Sequence, residues 1–93
     1  MTERLAAKAV DVEVTEVALT VNLADGRSVS VPTAWYPRLL HGTSKELGNW
    51  RIVAGGDGIN WPDLDEDISV DNLLDGKRSE ESQRSLKKWM ADR

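Results

Sequence analysis

The strongest constraint on the fold is the alternation of apolar and polar residues in three runs between positions 10 and 31. The apolar positions are Val10, Val12 and Val14, then Val17, Leu19, Val21 and Leu23, then Val29 and Val31. A repeat of two residues is typical of a strand with one buried face. Asp25-Gly26 supplies residues that tolerate a tight hairpin turn, and Pro32 closes the pattern. Residues 9–31 are therefore predicted to form a three-stranded antiparallel meander.

The segment after the meander predicts a short helix. Thr33 is a suitable N-cap for residues 34–41, and Gly42 follows where a helix often ends in a left-handed residue. Proline is tolerated only in the first turn of a helix, and this segment contains Pro37. The regular helix is therefore expected to begin near Tyr36.

A second alternation predicts a short β-hairpin. Residues 50–54 and 59–61 each alternate in polarity, and the glycine-rich residues 55–58 between them are typical of a turn. Pro62 is expected to end the second strand of this hairpin.

The acidic segment 63–76 contains six acidic residues and no basic one. Because its apolar residues do not repeat every second position, we expect a loop followed by one helical turn. Asp67 or Ser69 is predicted to accept backbone hydrogen bonds at the start of that turn. Gly76 is expected to close it.

The last segment, residues 79–93, reads as an amphipathic basic helix or tail. Its apolar stripe is narrow and consists of Leu86, Trp89 and Met90. The whole sequence predicts an α+β fold made of an antiparallel three-stranded meander, a helix, a short β-hairpin, a helical turn and a C-terminal helix. Residues 1–8 are expected to be flexible, and residues 9–78 to form a single domain.

Composition narrows the classes of function. A chain of 93 residues supplies one domain. It has no cysteine, which excludes disulfides and thiolate chemistry and fits a cytoplasmic protein. No apolar run predicts a signal peptide or a membrane span. The net charge of −4 argues against general nucleic-acid binding, although residues 77–93 carry six basic and three acidic residues.

Four tryptophans dominate the aromatic set, which contains one tyrosine and no phenylalanine. We expect Trp50 and Trp61 to fill the core, with Trp61 buried against Trp50 from the adjacent strand. Trp35 and Trp89 are candidates for either core packing or an exposed patch that binds another protein.

The residues that carry chemistry form no catalytic pattern. His41 is the single histidine, and local sequence places no catalytic partner beside it. Residues 55–58 lack the Lys and Ser/Thr of a phosphate-binding loop. The aspartates of residues 63–67 match the start of a calcium loop, but Ile68 and Leu74 stand where that loop needs Gly and Glu. No catalytic residue, metal site or cofactor is predicted, and the chain is not expected to be an enzyme.

Several motifs, in order, resemble those of the bacterial domain-of-unknown-function family 2442. They are Asp25-Gly26-Arg27, Val31-Pro32, Ala34-Trp35-Tyr36-Pro37-Arg38-Leu39, Asn49-Trp50-Arg51, the run from Ile59 to Val70, and Leu73-Leu74-Asp75-Gly76. The resemblance covers about residues 9–78. It implies a small α+β fold and a chain often encoded beside another small protein in a toxin and antitoxin-like pair. Some members carry a helix-turn-helix extension, for which the tail here is too short.

The leading hypothesis is a non-enzymatic protein-interaction module, the antitoxin-like member of such a pair, that contacts a cognate small protein. The residues expected to bind this partner are Trp35, Tyr36, Arg38, Arg84, Lys87, Lys88 and Trp89. The residues given a structural role are Trp50, Trp61, Pro62, Asp67 and Ser69. Self-association through a strand edge stays open.

Two alternatives stay open as well. In the first, the tail binds nucleic acid through phosphate contacts made by Lys77, Arg78, Arg84, Lys87, Lys88 and Arg93. In the second, a small acidic ligand is held by Arg38, Arg51 and Tyr36.

Overall fold

The first sheet of the computed structural model, which describes residues 7–93, is the meander that the alternation predicts. Strands β1 (Ala9–Val14), β2 (Ala18–Leu23) and β3 (Ser28–Pro32) pair in the order β1-β2-β3, and both pairings are antiparallel. Gly26 has a φ of +93° in the turn before β3, where a residue without a side chain is favoured. The central residues of β2, Leu19 and Val21, are fully buried.

Two of the valines expected on the buried face of the meander lie outside it. A β-bulge between Ala9 and Asp11 shifts the register of β1, so that Ala9 is buried while Val10 is 56% exposed. Val17 precedes β2 and is exposed. The two-residue repeat thus located the strands correctly but misassigned the side chains at these two positions.

The connection after the meander consists of a 3₁₀ turn, Thr33–Trp35, followed by α1 (Pro37–Leu40). Pro37 is the first helical residue, which confirms the predicted start near Tyr36. Thr33 does not cap the helix; its buried hydroxyl donates a hydrogen bond to the Thr15 carbonyl at 2.8 Å.

Gly42 was expected to adopt a left-handed conformation at the helix end, and it does not. A Cβ atom at this position would lie 2.9 Å from Cδ1 of the buried Leu64. Close packing, and not backbone conformation, therefore explains the glycine.

The second sheet has three strands, one more than the predicted hairpin. Helix α2 (Ser44–Gly48) leads into β4 (Arg51–Val53), β5 (Gly58–Trp61) and β6 (Glu66–Ser69), which pair antiparallel in that order. Strand β6 lies inside the acidic segment for which a loop was expected. The expectation failed because only two residues of this short strand, Glu66 and Ile68, face inward, and one of them is acidic.

The helical turn after β6 was predicted correctly and forms α3 (Val70–Leu74). Ser69 caps it by accepting a hydrogen bond from the Asn72 amide at 3.0 Å, and Gly76 follows with a φ of +74°. Asp67 is not the cap; its carboxylate instead accepts a hydrogen bond from the Asn60 side chain at 2.7 Å. The C-terminal helix α4 (Gln83–Ala91) is capped by Ser82.

The core lies between the two sheets and the short helices, and Trp61 is its largest fully buried side chain. Its indole N–H donates to the Leu47 carbonyl of α2 at 3.1 Å, so the ring satisfies its one polar atom while buried. Pro62 directly follows β5, as predicted. Trp50 is partly buried and packs against the same core.

The N-terminal segment predicted to be flexible, residues 1–8, lies outside the described residues except for its last two. Ala7 is buried in the core, and Lys8 forms an ion pair with Asp57. Among the helices of residues 7–93, none is long and apolar enough to span a bilayer.

We expect Trp61→Ala to lower the free energy of unfolding by about 3 to 5 kcal/mol, because it removes a fully buried aromatic ring and leaves a cavity. Urea titrations of the variant measure this loss. Glu80→Ala is the control, since Glu80 is exposed, and it should cost less than about 0.5 kcal/mol. A larger loss for Glu80→Ala than for Trp61→Ala would contradict this assignment of the core.

Candidate functional site

Arg38 joins three segments that are distant in the sequence. From α1, its Nε and Nη2 atoms donate to the Glu81 carboxylate at 2.9 and 2.6 Å. Its Nη1 atom donates to the backbone carbonyls of Leu64 and Asp65 at 3.3 and 3.1 Å. The Arg38 and Glu81 side chains are only 14% and 10% exposed. This bidentate pair therefore attaches the segment before α4 to the body of the domain.

Trp89 attaches α4 itself. Two guanidinium groups contact its ring, with the Arg38 and Arg93 Cζ atoms 5.1 and 4.6 Å from the ring centroid. A cation over the face of a tryptophan ring is attracted by the electrons of the ring, so these contacts stabilise the position of Trp89. Arg93 also pairs with Glu46 of α2. Trp89 and the half-buried Leu86 thus form the inner face of α4.

The outer face of α4 is cationic. At about 3.6 residues per turn, Arg84, Lys87 and Lys88 lie on the side of the helix opposite Leu86 and Trp89. All three are exposed. Within the described part of the chain, none of them forms a hydrogen bond or an ion pair. This cationic face, defined as Arg84, Lys87 and Lys88, is consequently open to solvent.

The segment that leads to α4, residues 77–82, is held against the first half of the chain by hydrogen bonds. The Ser79 amide donates to the Trp35 carbonyl at 3.0 Å, and the Tyr36 hydroxyl donates to the Lys77 carbonyl at 2.9 Å. The Arg78 guanidinium lies over the Trp35 ring, with its Cζ atom 5.0 Å from the centroid. These contacts leave Trp35 half-buried and beside the basic residues of the segment.

A cleft of about 510 Å³ separates this segment from β6. Its walls include Tyr36, Glu66, Ile68, Asn72, Lys77 and Arg78. Glu66 is the unusual group among them, because its carboxylate is half-buried and pairs with no side chain of residues 7–93.

Electrostatics distinguish Glu66 from the other carboxylates nearby. Burial and the adjacent Glu81 raise the pKa of Glu66 from 4.5 to about 7, against the weaker opposing effect of Arg38. The pKa of Glu81 is lowered, chiefly by its hydrogen bond from Arg38. Burial, and next the charge of Glu66, raise the pKa of Tyr36.

The structure divides the residues that the sequence suggested for partner binding. Tyr36 is 5% exposed, and Arg38 is engaged with Glu81 and the protein backbone, so both hold the domain together. Trp89 attaches α4 to the domain. The remaining suggested residues, Arg84, Lys87 and Lys88, form the cationic face, and Trp35 lies apart from it against Arg78.

The ligand trio of Arg38, Arg51 and Tyr36 is not assembled. Arg51 lies on β4, where it donates to the Asn60 side chain at 3.1 Å, and the cleft contains Tyr36 but neither arginine. Across residues 7–93, no three His, Asp or Glu side chains converge so as to hold a metal ion.

Sequence reasoning missed Glu66 and Glu81. The signal for Glu66 was slight: it precedes Ile68 by two residues, the spacing of one face of a strand. Glu81 carries no local signal, since its partner Arg38 lies 43 residues earlier.

We expect Glu81→Ala to detach α4, because it leaves Arg38 without its carboxylate partner. The measurement is amide hydrogen exchange, and protection of residues 83–91 should fall by about tenfold or more, which corresponds to a charge-assisted hydrogen bond of about 1.5 to 3 kcal/mol. Glu80→Ala is the matched control, since Glu80 is an exposed neighbour. Equal losses in the two variants would contradict the role given to Glu81.

We expect Glu66 to destabilise the fold as the pH rises. Its raised pKa means that the folded chain binds this proton more tightly than the unfolded chain, so stability falls between about pH 4.5 and 7. Glu66→Gln should match the native chain at pH 5. At pH 8 it should exceed the native chain by about 1 to 2 kcal/mol, a figure reduced for the part of the side chain that water reaches.

Urea titrations at both pH values test this expectation. Glu13→Gln is the control, because Glu13 is exposed on β1. A Glu66→Gln variant that is less stable than the native chain at pH 8 would show that the Glu66 charge stabilises the fold.

Comparisons with known proteins identify solved structures that are similar to this chain. No curated protein matches the chain significantly. A solution NMR structure of an uncharacterised protein from Chromobacterium violaceum is similar, with 26% identity and a TM-score of 0.70 over 99% of this chain and 81% of the other. A crystal structure of a protein of unknown function from Rhodospirillum rubrum shares the fold, with 21% identity and a TM-score of 0.68 over 84% and 94% of the two chains.

The family model described as "Protein of unknown function (DUF2442)" matches residues 9–79, which include both sheets, α3 and the segment that forms one wall of the cleft. The resemblance noted in the sequence motifs is thereby confirmed, and the chain belongs to the DUF2442 family.

Proposed function

We propose that this protein is a non-enzymatic interaction module whose cationic face binds an acidic surface of a cognate small protein. The observation that carries this proposal is the disposition of Arg84, Lys87 and Lys88. These three exposed cations share one face of α4 and have no partner among residues 7–93.

The manner in which α4 is attached supports the proposal. Trp89 packs against the core from the inner face of the helix, and Arg93 pairs with Glu46. The cationic face therefore has a fixed direction before any partner arrives, and a preformed surface loses less conformational freedom on binding than a disordered tail does.

Charge favours a protein partner over nucleic acid. The chain as a whole carries −4, and the acidic segment 63–76 precedes the segment that leads to α4. Three cations on one face neutralise few phosphates, whereas exposed charges at a protein interface steer an oppositely charged partner. The family resemblance supports a toxin-like identity for that partner, and a chain without cysteine fits a cytoplasmic site of action.

The test measures binding to the product of the adjacent gene, co-expressed and purified with this protein. Lys87→Glu/Lys88→Glu should weaken the complex by about tenfold or more, because two attractive contacts become repulsive. Affinity of the native chain should also fall as salt is raised.

Lys45→Glu/Arg51→Glu is the matched control, since it changes the net charge equally at two exposed residues outside α4. Equal weakening by both double variants would show an effect of net charge alone, and no weakening by either would exclude the cationic face. Binding of duplex DNA that Lys87→Glu/Lys88→Glu abolishes, in place of protein binding, would assign the face to phosphates.

A further inference from the structure

The cleft between β6 and residues 77–80 has the size of a small-ligand site. Its volume of about 510 Å³ falls within the range of roughly 300 to 1,000 Å³ that is usual for such sites. The floor includes the ring of Tyr36, which is held by its hydrogen bond to the Lys77 carbonyl, and the side chain of Ile68. The cleft is therefore built from fixed elements.

The charges around Glu66 are unbalanced. Arg38 interacts with three carboxylates, those of Glu81, Glu66 and Asp65. All three nitrogen atoms of its guanidinium already donate to Glu81 or to backbone carbonyls. Arg38 therefore satisfies Glu81, and among residues 7–93 no cation pairs with the half-buried Glu66 carboxylate.

We propose that this cleft binds one organic cation, an ammonium or guanidinium group, through the Glu66 carboxylate. A cation there would receive the pairing that Arg38 does not provide, and it would lie beside the Tyr36 ring. The ligand is either a small free amine or a lysine or arginine side chain of another polypeptide. This proposal is independent of the cationic face.

The groups that face Glu66 from the surrounding elements define the selectivity of the site. They are Tyr36 and Arg38 from the region of α1, Asp67 from β6, and Lys77, Arg78, Glu80 and Glu81 from the segment before α4. Arg78 lies over Trp35, while Lys77 is exposed on the rim without an ion pair in the described chain. Lys77 should repel a ligand with several positive charges, so a single cation fits best.

The pH dependence follows from the charge of Glu66. Burial and Glu81 raise its pKa to about 7, so the carboxylate ionises between about pH 6 and 8. A lysine ammonium stays charged over this interval because its pKa is near 10.4. Occupancy should therefore rise with pH and level off above pH 8.

The test is a titration followed by amide chemical shifts of residues 66–69 and 77–79. The probes are blocked lysine (N-acetyl-lysine methylamide), blocked norleucine as its uncharged counterpart, and n-butylammonium. We expect saturable shifts with the charged probes, with dissociation constants on the order of millimolar. Blocked norleucine should give no saturable shift. At pH 5 the carboxylate is almost wholly protonated, so the affinity should fall on the order of a hundredfold and saturation should be lost.

Variants make the test specific. Glu66→Gln should abolish saturation while the chain stays folded, because it removes a half-buried charge. Lys77→Gln should strengthen binding several-fold by removing a competing cation, and Glu13→Gln should leave it unchanged.

Tighter binding of blocked lysine than of n-butylammonium would identify a polypeptide side chain as the ligand, and the reverse order would identify a free amine. Absence of saturable shifts at pH 8, or equal shifts in Glu66→Gln, would overturn the proposal.

Discussion

The ion pair between Arg38 and Glu81 is the contact on which the arrangement of this domain depends. It links the helix that follows the first sheet to the loop of the second sheet and to the segment directly before the C-terminal helix. A guanidinium that donates at once to a carboxylate and to two backbone carbonyls fixes the relative positions of all three segments. Because both side chains are largely removed from water, neither is stable there without the other.

The Arg38–Glu81 contact also accounts for the exposure of the cationic face of α4 and for the charge of the cleft beside Glu66. By fixing α4 through Glu81 and Trp89, it turns Arg84, Lys87 and Lys88 toward solvent. Because the Arg38 donors bind Glu81 and backbone carbonyls, no cation of the described chain pairs with Glu66 beside the cleft. One arginine thus determines both the exposed cations of the helix and the electrostatic character of the cavity.

Local patterns in the sequence predicted most of the fold. The meander, the helix start at Pro37 and the cap at Ser69 each depend on residues within a few positions of one another, and the structure confirms them. The bulge that exposes Val10 depends on pairing with β2, which a single strand does not encode. Strand β6 was not predicted, because the acidic Glu66 occupies an inward position where the alternation calls for an apolar residue. The site was less predictable, because the partner of Arg38 lies 43 residues away and only the folded chain brings the two together.

Each sheet of this protein contains only strands that are neighbours in the sequence, as the orders β1-β2-β3 and β4-β5-β6 show. Such pairings close short loops and therefore lose little chain entropy before they gain contacts, which favours rapid folding. The long-range ion pairs of Lys8 with Asp57 and of Arg38 with Glu81 close far longer loops. We therefore expect the two sheets to form early and independently, and the C-terminal helix to join last along the folding pathway and to leave first when the protein unfolds.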